Sequence, residues 1–417
     1  MESQKIVIAT IGSLGDLHPA MALALELKAR GHQVALATSA VYREKIEQVG
    51  IDFHSLRPHI PDSPEIVEKL MHPTKGAEFV FRELILPASS AMYADLMDVV
   101  EGCDLLIANG IIFPASLVSE KLGIPWILYE LQPASFFSIY DPPVLETAPY
   151  LAKSRFLGVW AVKLFKQLAK LMTRSWAKPI HQLRKELELP QVSHPLFFEG
   201  KFSSDLVLAM FSSVFAEPQP DWAKQTKITG FTFYDRLLPN CGLPTELQEF
   251  LKTGESPVVF TLGSAVVKTA GNFYTESVAA ARKLGCRAVF LVGDRKLENL
   301  PDCAIAVDYA PYSELFPHAK AVVHQGGIGT TAQALRAGVP MLVVPFSYDQ
   351  PDNAAIVRLG VGRTIARKKY QQDLVIKELQ ILLSDSQYKT RASEIAQIIQ
   401  AENGVKTACD AVESFFS

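Results

Sequence analysis

The chain has 417 residues, of which 48% are hydrophobic and 20% charged, and its formal net charge is −3. That length suggests two or three domains with ample core, and the charge balance leaves no basic footprint for nucleic acid. The five cysteines, Cys103, Cys241, Cys286, Cys303 and Cys409, are scattered without zinc or CxxC spacing, so a reduced cytoplasmic protein without structural metal is expected. The apolar run after Lys5 is too short for a signal-peptide core, and no charge-free run approaches the ~18 to 20 residues of a membrane span.

Lys5 to Thr10 reads as a buried first strand. The turn Ile11-Gly12-Ser13-Leu14-Gly15-Asp16-Leu17-His18-Pro19 follows, then a helix from Ala20 to Arg30 stopped by Gly31, then a strand from Gln33 to Thr38. Apolar runs at Leu105 to Ala108 and Ile124 to Tyr129 bracket a helix near Pro114 to Leu122, an alternation that implies a parallel sheet. Ligands of such sheets sit beyond the carboxyl ends of the strands, where Asp16 and His18 fall.

The alternation breaks down after Leu131. Residues 151–178 contain no acid, while Lys153, Arg155, Lys163, Lys166, Lys170, Arg174 and Lys178 recur. Phe156, Trp160, Leu164 and Leu171 fit one stripe of a basic amphipathic helix, read first as core and pocket wall and second as contact with an anionic membrane surface. A strand at Leu206 to Met210 leads to breakers that place a linker between Phe233 and Thr245. The expected domains are 1–235, 236–400 and a final helical segment, 401–417.

A second alternation starts with the strand Val258 to Leu262, which runs into Gly263-Ser264. A helix from Asn272 to Leu284 and strands at Ala288 to Val292 and Ile305 to Asp308 follow. Ala321 to Val323 then ends in His324, with glycines at 326, 327 and 329, Thr330, Thr331 and helix formers to Arg336. A glycine turn at a helix start offers unpaired N–H groups to phosphate. Gly338-Val339-Pro340 and the strand Met341 to Val344 lead to a polar loop holding Asp349 and Gln350; helices at Gln372 to Leu383, Thr390 to Gln400 and Val405 to Phe416 finish the chain.

No lysine follows the glycines and no GxGxxG follows the first strand, which argues against a P-loop and a dinucleotide fingerprint. The ordered set from Asp308 to Asn353 instead resembles the donor signature of family 1 glycosyltransferases, the UDP-glycosyltransferases. Gly15-Asp16-Leu17-His18-Pro19 stands where many members have G-H-x-x-P, a departure similar to the sterol glucosyltransferase, rhamnosyltransferase and glycopeptide-antibiotic branch. The resemblance implies an α/β protein of the GT-B fold, two Rossmann-like domains facing each other across a cleft, with the last helix crossing back to the first domain.

It further implies Asp16 as catalytic base, with His18 as rival; Asp16 also fits a plain helix cap. Asn109 stands where many members carry an aspartate that orients a histidine base. Donor contacts are implied for Ser264, Tyr309 as the base-stacking ring, His324, Gly326, Gly327, Gly329, Thr330, Gln333 at the ribose position, and Asp349 with Gln350 at the sugar. Ser264, Asp349 and Gln350 are equally ordinary capping residues. Acceptor contacts are implied for Asn109, Phe136 and Trp160.

The implied reaction is inverting, metal-independent hexose transfer from a nucleotide-sugar, UDP-glucose first, to a hydroxyl of a hydrophobic acceptor: a sterol, phenolic or flavonoid, macrolide or lipid. The nucleotide-sugar is then a co-substrate and no cofactor is expected. Rhamnosyl or other deoxysugar transfer from a dTDP or UDP donor is the alternative. A nucleotide-sugar epimerase and a non-catalytic auxiliary protein remain open as other classes, and residues 151–178 leave peripheral membrane association open.

Overall fold

A computed structural model describes residues 2–61, 63–145, 158–235 and 242–416. The chain divides into two compact units, one of Met1–Leu70, Thr74–Tyr234 and Asn403–Ser417, the other of Met71–Pro73 and Asp235–Glu402. Most of the expected linker, residues 236–241, lies outside the described residues.

The first unit is built on a seven-stranded sheet: β1 (Lys5–Ala9), β2 (Gln33–Thr38), β3 (Asp52–Ser55), β4 (Leu105–Asn109), β5 (Trp126–Glu130), β6 (Leu206–Ala209) and β7 (Thr226–Ile228). Its order is β3-β2-β1-β4-β5-β6-β7 and every pairing is parallel. The central strands β4 and β5 are buried along their whole length, which is why they read as unbroken apolar runs rather than alternating ones. The chain reverses direction across the sheet between β1 and β4, so the loops after these two strands frame a crevice.

The second unit repeats the plan with six strands: β8 (Val258–Thr261), β9 (Ala288–Leu291), β10 (Ala304–Val307), β11 (Ala321–His324), β12 (Met341–Val343) and β13 (Gly362–Thr364). They run parallel in the order β10-β9-β8-β11-β12-β13. Here the reversal falls between β8 and β11, and it puts the loop carrying Gly263 beside the one carrying Gln325.

Two sequence expectations are corrected. The first helix, α1 (Leu14–Ala29), starts six residues before Ala20, so Asp16 and His18 stand in its opening turns rather than in a free loop. The physical reason is a capping box: the Ser13 hydroxyl accepts from the Gly15 N–H, and the Asp16 carboxylate accepts from the Ser13 N–H at 2.8 Å. Pro19 is accommodated within this helix. The second correction concerns the apolar stripe. Phe156 lies outside the described residues, and on the Val159–Thr173 helix Trp160 is 71%, Leu164 54% and Leu171 66% exposed. The stripe is therefore not core.

The last helix, Gly404–Glu413, belongs to the first unit and packs on α1, burying Ala408, Cys409 and Val412. Gly404 permits the approach, because a Cβ there would lie 2.3 Å from the Phe231 carbonyl oxygen. Arg30, at the end of α1, bonds Asp410 at 2.8 Å and Glu413 at 2.6 Å, and Glu413 also meets His32. Arg30→Ala should lower stability only modestly, since Asp410 keeps its bond to Lys406 and Glu413 its contact with His32. Urea unfolding of the intact protein measures this; an unchanged midpoint would leave the helix held by apolar packing alone.

Candidate active site

In the first unit, the groups around the reversal point belong to β1, β4 and the start of α1. Asp16 Oδ2 accepts from the Ser13 N–H and lies 3.3 Å from the Ser13 hydroxyl. Gly12 has φ +145°, and a Cβ there would sit 2.1 Å from Asp16 Oδ2, so the glycine leaves the room in which the carboxylate folds back. Burial raises the Asp16 pKa to about 6, against the lowering effect of the Ser13 bonds. The ionised form still predominates at neutral pH, with a proton affinity well suited to general-base work.

His18 is stacked on Tyr234, with ring centroids 5.1 Å apart, and its Nε2 is buried without a hydrogen-bond partner. Burial, with a smaller contribution from Lys45, lowers its pKa to about 4, so the ring is neutral. Asn109, at the end of β4, donates to Thr10 Oγ1 at 3.0 Å and to the Ile11 carbonyl at 3.2 Å. It ties the loop after β1 in place, and its Oδ1 is left buried and unpaired.

Of the other two residues expected at the acceptor, one is packed away and the other is exposed. Phe136 is only 3% exposed, stacked on Trp222 at 4.1 Å and packed against Phe202 and Phe211. Its ring is committed to an aromatic core and offers no face to an acceptor. Trp160 is exposed on the Val159–Thr173 helix, as described above.

In the second unit, β11 delivers His324 to the reversal point, wholly buried. The Gly326 N–H donates to its Nδ1 at 3.0 Å, which fixes the ring proton on Nε2. Burial lowers the His324 pKa to about 3. This is a neutral N–H donor, and Nε2 has no partner. Gly326 has φ +87° and runs so close to its surroundings that a Cβ would meet Val343 at 2.7 Å and the Gln350 carbonyl at 3.2 Å.

The Ile328–Arg336 helix begins on Gly327, which has no side chain to cap it. The first intrahelical bond is Thr331 N–H to the Gly327 carbonyl, so the N–H groups of Ile328, Gly329 and Thr330 precede the ladder. A Cβ on Gly329 would meet nothing within 4 Å. The open helix start thus combines N–H groups that precede the ladder, the positive end of the helix dipole and, at Gly329, clear space.

Around it lie further buried side-chain atoms with unmet hydrogen-bonding capacity: Gln325 Oε1, Thr331 Oγ1, Ser347 Oγ and Asn353 Oδ1. Such groups each cost stability unless a ligand or water meets them. Sequence reasoning included Thr331 in the glycine turn but gave no role to Gln325, Ser347 or Asn353. Gln325 follows His324 directly, and its amide nitrogen fills the space where a Cβ on Gly263 or Gly327 would sit. Asn353 stands four residues after Asp349; its Nδ2 donates to Asp349 Oδ2 and, at 2.9 Å, to the Gly326 carbonyl. That i, i+4 spacing on a helical turn was the available signal.

The remaining expected donor residues are brought into the same unit with mixed engagement. Tyr309 is 58% exposed in the loop after β10. Thr330 is buried with Oγ1 3.4 Å from the Gln325 amide nitrogen. Ser264 is exposed on the turn after β8. Gln333 accepts from Arg336 at 2.9 Å. Gln350 is buried, its Oε1 accepting from the N–H groups of Phe346 and Ser347, so it closes the loop below Asp349. In that loop Tyr348 takes φ +59°, a conformation that costs energy for a bulky residue.

Residues 6–133 match the glycosyltransferase family 28 N-terminal domain, and residues 290–407 match the erythromycin biosynthesis protein CIII-like C-terminal domain. Over 428 residues the chain is 30% identical to O-mycaminosyltylonolide 6-deoxyallosyltransferase of Streptomyces fradiae, covering 99% of this chain and 97% of that protein. It is 29% identical to a sterol 3-beta-glucosyltransferase of Arabidopsis thaliana, over 99% of this chain but 65% of that protein's length. In fold it is similar to the glycosyltransferase of kitacinnamycin, with a TM-score of 0.74, 21% identity and 99% of each chain covered. It is also similar to a spinosyn rhamnosyltransferase complexed with thymidine diphosphate, with a TM-score of 0.69, 18% identity, and 98% and 100% covered.

Two parallel Rossmann-like sheets and an anion-ready helix start, with these relatives, define a glycosyltransferase of the GT-B fold. The chain belongs to the family 1 glycosyltransferases.

Two glycines in the site should respond oppositely to a methyl group. Gly326→Ala should cost about 1 to 3 kcal/mol through strain at positive φ and the Val343 contact. Gly329→Ala, in open space, should stay within about 0.5 kcal/mol of the parent. Thermal melts of the two variants check this, and equal losses would show that the space at Gly329 is not open.

Proposed function

We propose that the chain transfers a hexose, from UDP-glucose as first choice, to a hydroxyl of a hydrophobic acceptor, with inversion at the anomeric carbon and without a metal ion. The observation that carries this reading is the uncapped start of the Ile328–Arg336 helix beside the unpaired Nε2–H of His324. Both are neutral hydrogen-bond donors, and they lie within a few residues of each other in the chain, which is the kind of donor set a diphosphate needs.

In the proposed step the acceptor hydroxyl oxygen attacks the anomeric carbon and its proton passes to the Asp16 carboxylate. The bond from that carbon to the diphosphate oxygen breaks, and the electron pair leaves with the nucleoside diphosphate. The developing charge falls on the oxygen that His324 and the N–H groups of Ile328, Gly329 and Thr330 would meet. Donors of this kind contribute roughly 3 to 4 kcal/mol each when aimed at developing charge, which supplies what a cation would otherwise do. Tyr309 would stack on the base, Gln333 would bond the ribose, and Asp349 would meet sugar hydroxyls. Gln350, whose carboxamide oxygen is already bound to backbone, would act through the loop it closes.

Asp16 suits the base role better than His18. Its raised pKa keeps it a competent acceptor at neutral pH, whereas the His18 ring, depressed to about 4, is a weak base. A second reading, transfer of a deoxysugar from a dTDP or UDP donor, draws support from the Streptomyces fradiae relative, a 6-deoxyallosyltransferase.

Mass spectrometry after incubation with EDTA, a panel of UDP- and dTDP-sugars, and pooled sterol, phenolic, macrolide and hydroxy-lipid acceptors tests the proposal. A glycosylated product is expected; donor turnover without any acceptor product would instead indicate an epimerase. Asp16→Asn should reduce turnover by at least about a hundredfold while nucleotide affinity changes little. Activity of the parent should rise with pH through an inflection near 6, because only the deprotonated carboxylate can accept the proton. A profile that is flat between pH 5 and 7, or Asp16→Asn turning over normally, would remove Asp16 from the role.

A further inference from the structure

The Val159–Thr173 helix is oriented opposite to the usual surface helix. Its inward face carries Ala161 and Val162 together with two lysines, Lys166 and Lys170, which are largely buried and paired with Asp221 at 3.6 Å and Glu199 at 2.6 Å. Its outward face carries Trp160, Leu164, Leu168, Leu171 and Met172, between 47% and 76% exposed. A helix that turns two of its lysines inward, to Asp221 and to the half-exposed Glu199, and presents its apolar side chains outward has a surface that water does not favour.

The exposed charges on and just beyond this helix settle which partner fits. Lys163, Arg174 and Lys178 are exposed, and residues 151–178 contain no acid at all. A second copy of the chain, docked face to face about a two-fold axis, would set this cationic row against its own image. An anionic lipid surface would receive the apolar side chains among the acyl chains and the cations among the headgroups. The inward ion pairs with Asp221 and Glu199 hold the helix in the rotation this requires.

We propose that the outward face of the Val159–Thr173 helix is a docking surface for an anionic bilayer. Among the described residues no helix is long and apolar enough to cross a membrane. This surface stands independently of the donor, the sugar and the base.

The test is cosedimentation of the full chain with vesicles of phosphatidylglycerol and phosphatidylcholine, compared with phosphatidylcholine alone. Binding is expected only to the anionic vesicles and should fall in high salt. Lys163→Gln and Arg174→Gln should each weaken partitioning roughly fivefold. The pair Leu168→Gln and Met172→Gln should weaken it further, with melting temperatures confirming that the exposed changes leave the fold intact. Absence of binding to anionic vesicles would overturn the proposal, as would binding that none of these substitutions alters. A concentration-dependent dimer in sedimentation equilibrium, converted to monomer by Leu168→Gln with Met172→Gln, would assign the face to a second copy instead.

Discussion

Buried hydrogen-bonding capacity left unmet in the second unit is the constraint to which its site geometry answers. His324 Nε2, Gln325 Oε1 and Thr331 Oγ1, next to an uncapped helix start, and Ser347 Oγ and Asn353 Oδ1, in the segment after β12, are all enclosed without partners. A fold carries such a cluster only when surrounding structure holds it rigidly. The rigid parts are visible: the His324 ring is fixed by the Gly326 N–H, the glycine turn by Asn353, and the loop after β12 by Gln350. The bonds of His324 and Asn353 each fix one end of a polar group and leave the other end unpaired.

The two units use the same sheet order yet treat the helix start beside the reversal point in opposite ways. In the first unit α1 is closed by its own carboxylate, Asp16, whose Oδ2 takes the Ser13 N–H. An anion already occupies that end of the helix dipole, so a phosphate there would meet repulsion. In the second unit Gly327 occupies the cap position and nothing closes the helix. On the proposed reading, one unit is thus furnished with a fixed base and the other with an anion receptor. A single residue choice at each helix start, Ser13 with Asp16 against Gly327, separates the two roles more than any difference in strand order does.

The architecture was legible because buried parallel strands appear as short apolar runs of about the right length, and the glycine turn because few other patterns place His, three glycines and two threonines in a row. The start of α1 was misjudged since Pro19 read as a boundary, although the Ser13-x-x-Asp16 box outweighs it. Phe136 could not be told from a pocket residue because its partners Phe202, Phe211 and Trp222 lie far along the chain. The rotation of the Val159–Thr173 helix was equally hidden, for periodicity identifies an apolar stripe but not the side it faces. Asp221 and Glu199, which draw Lys166 and Lys170 inward, are distant in sequence.

Both histidines illustrate how burial, rather than residue type, sets chemical role. His18 and His324 are each enclosed and each pushed toward the neutral form, to about 4 and about 3. They part in their hydrogen bonds. The Gly326 N–H occupies Nδ1 of His324 and makes that ring an oriented donor, while the described contact of His18 is a stack on Tyr234, which orients its plane without specifying a tautomer. A neutral, oriented donor has an advantage at a diphosphate site over an arginine or lysine. It strengthens as charge develops on the leaving oxygen but binds the departed nucleotide less tightly than a full charge would. On the proposed reading, the absence of a lysine after the glycines, the very feature that set this turn apart from a P-loop, is what allows product to leave.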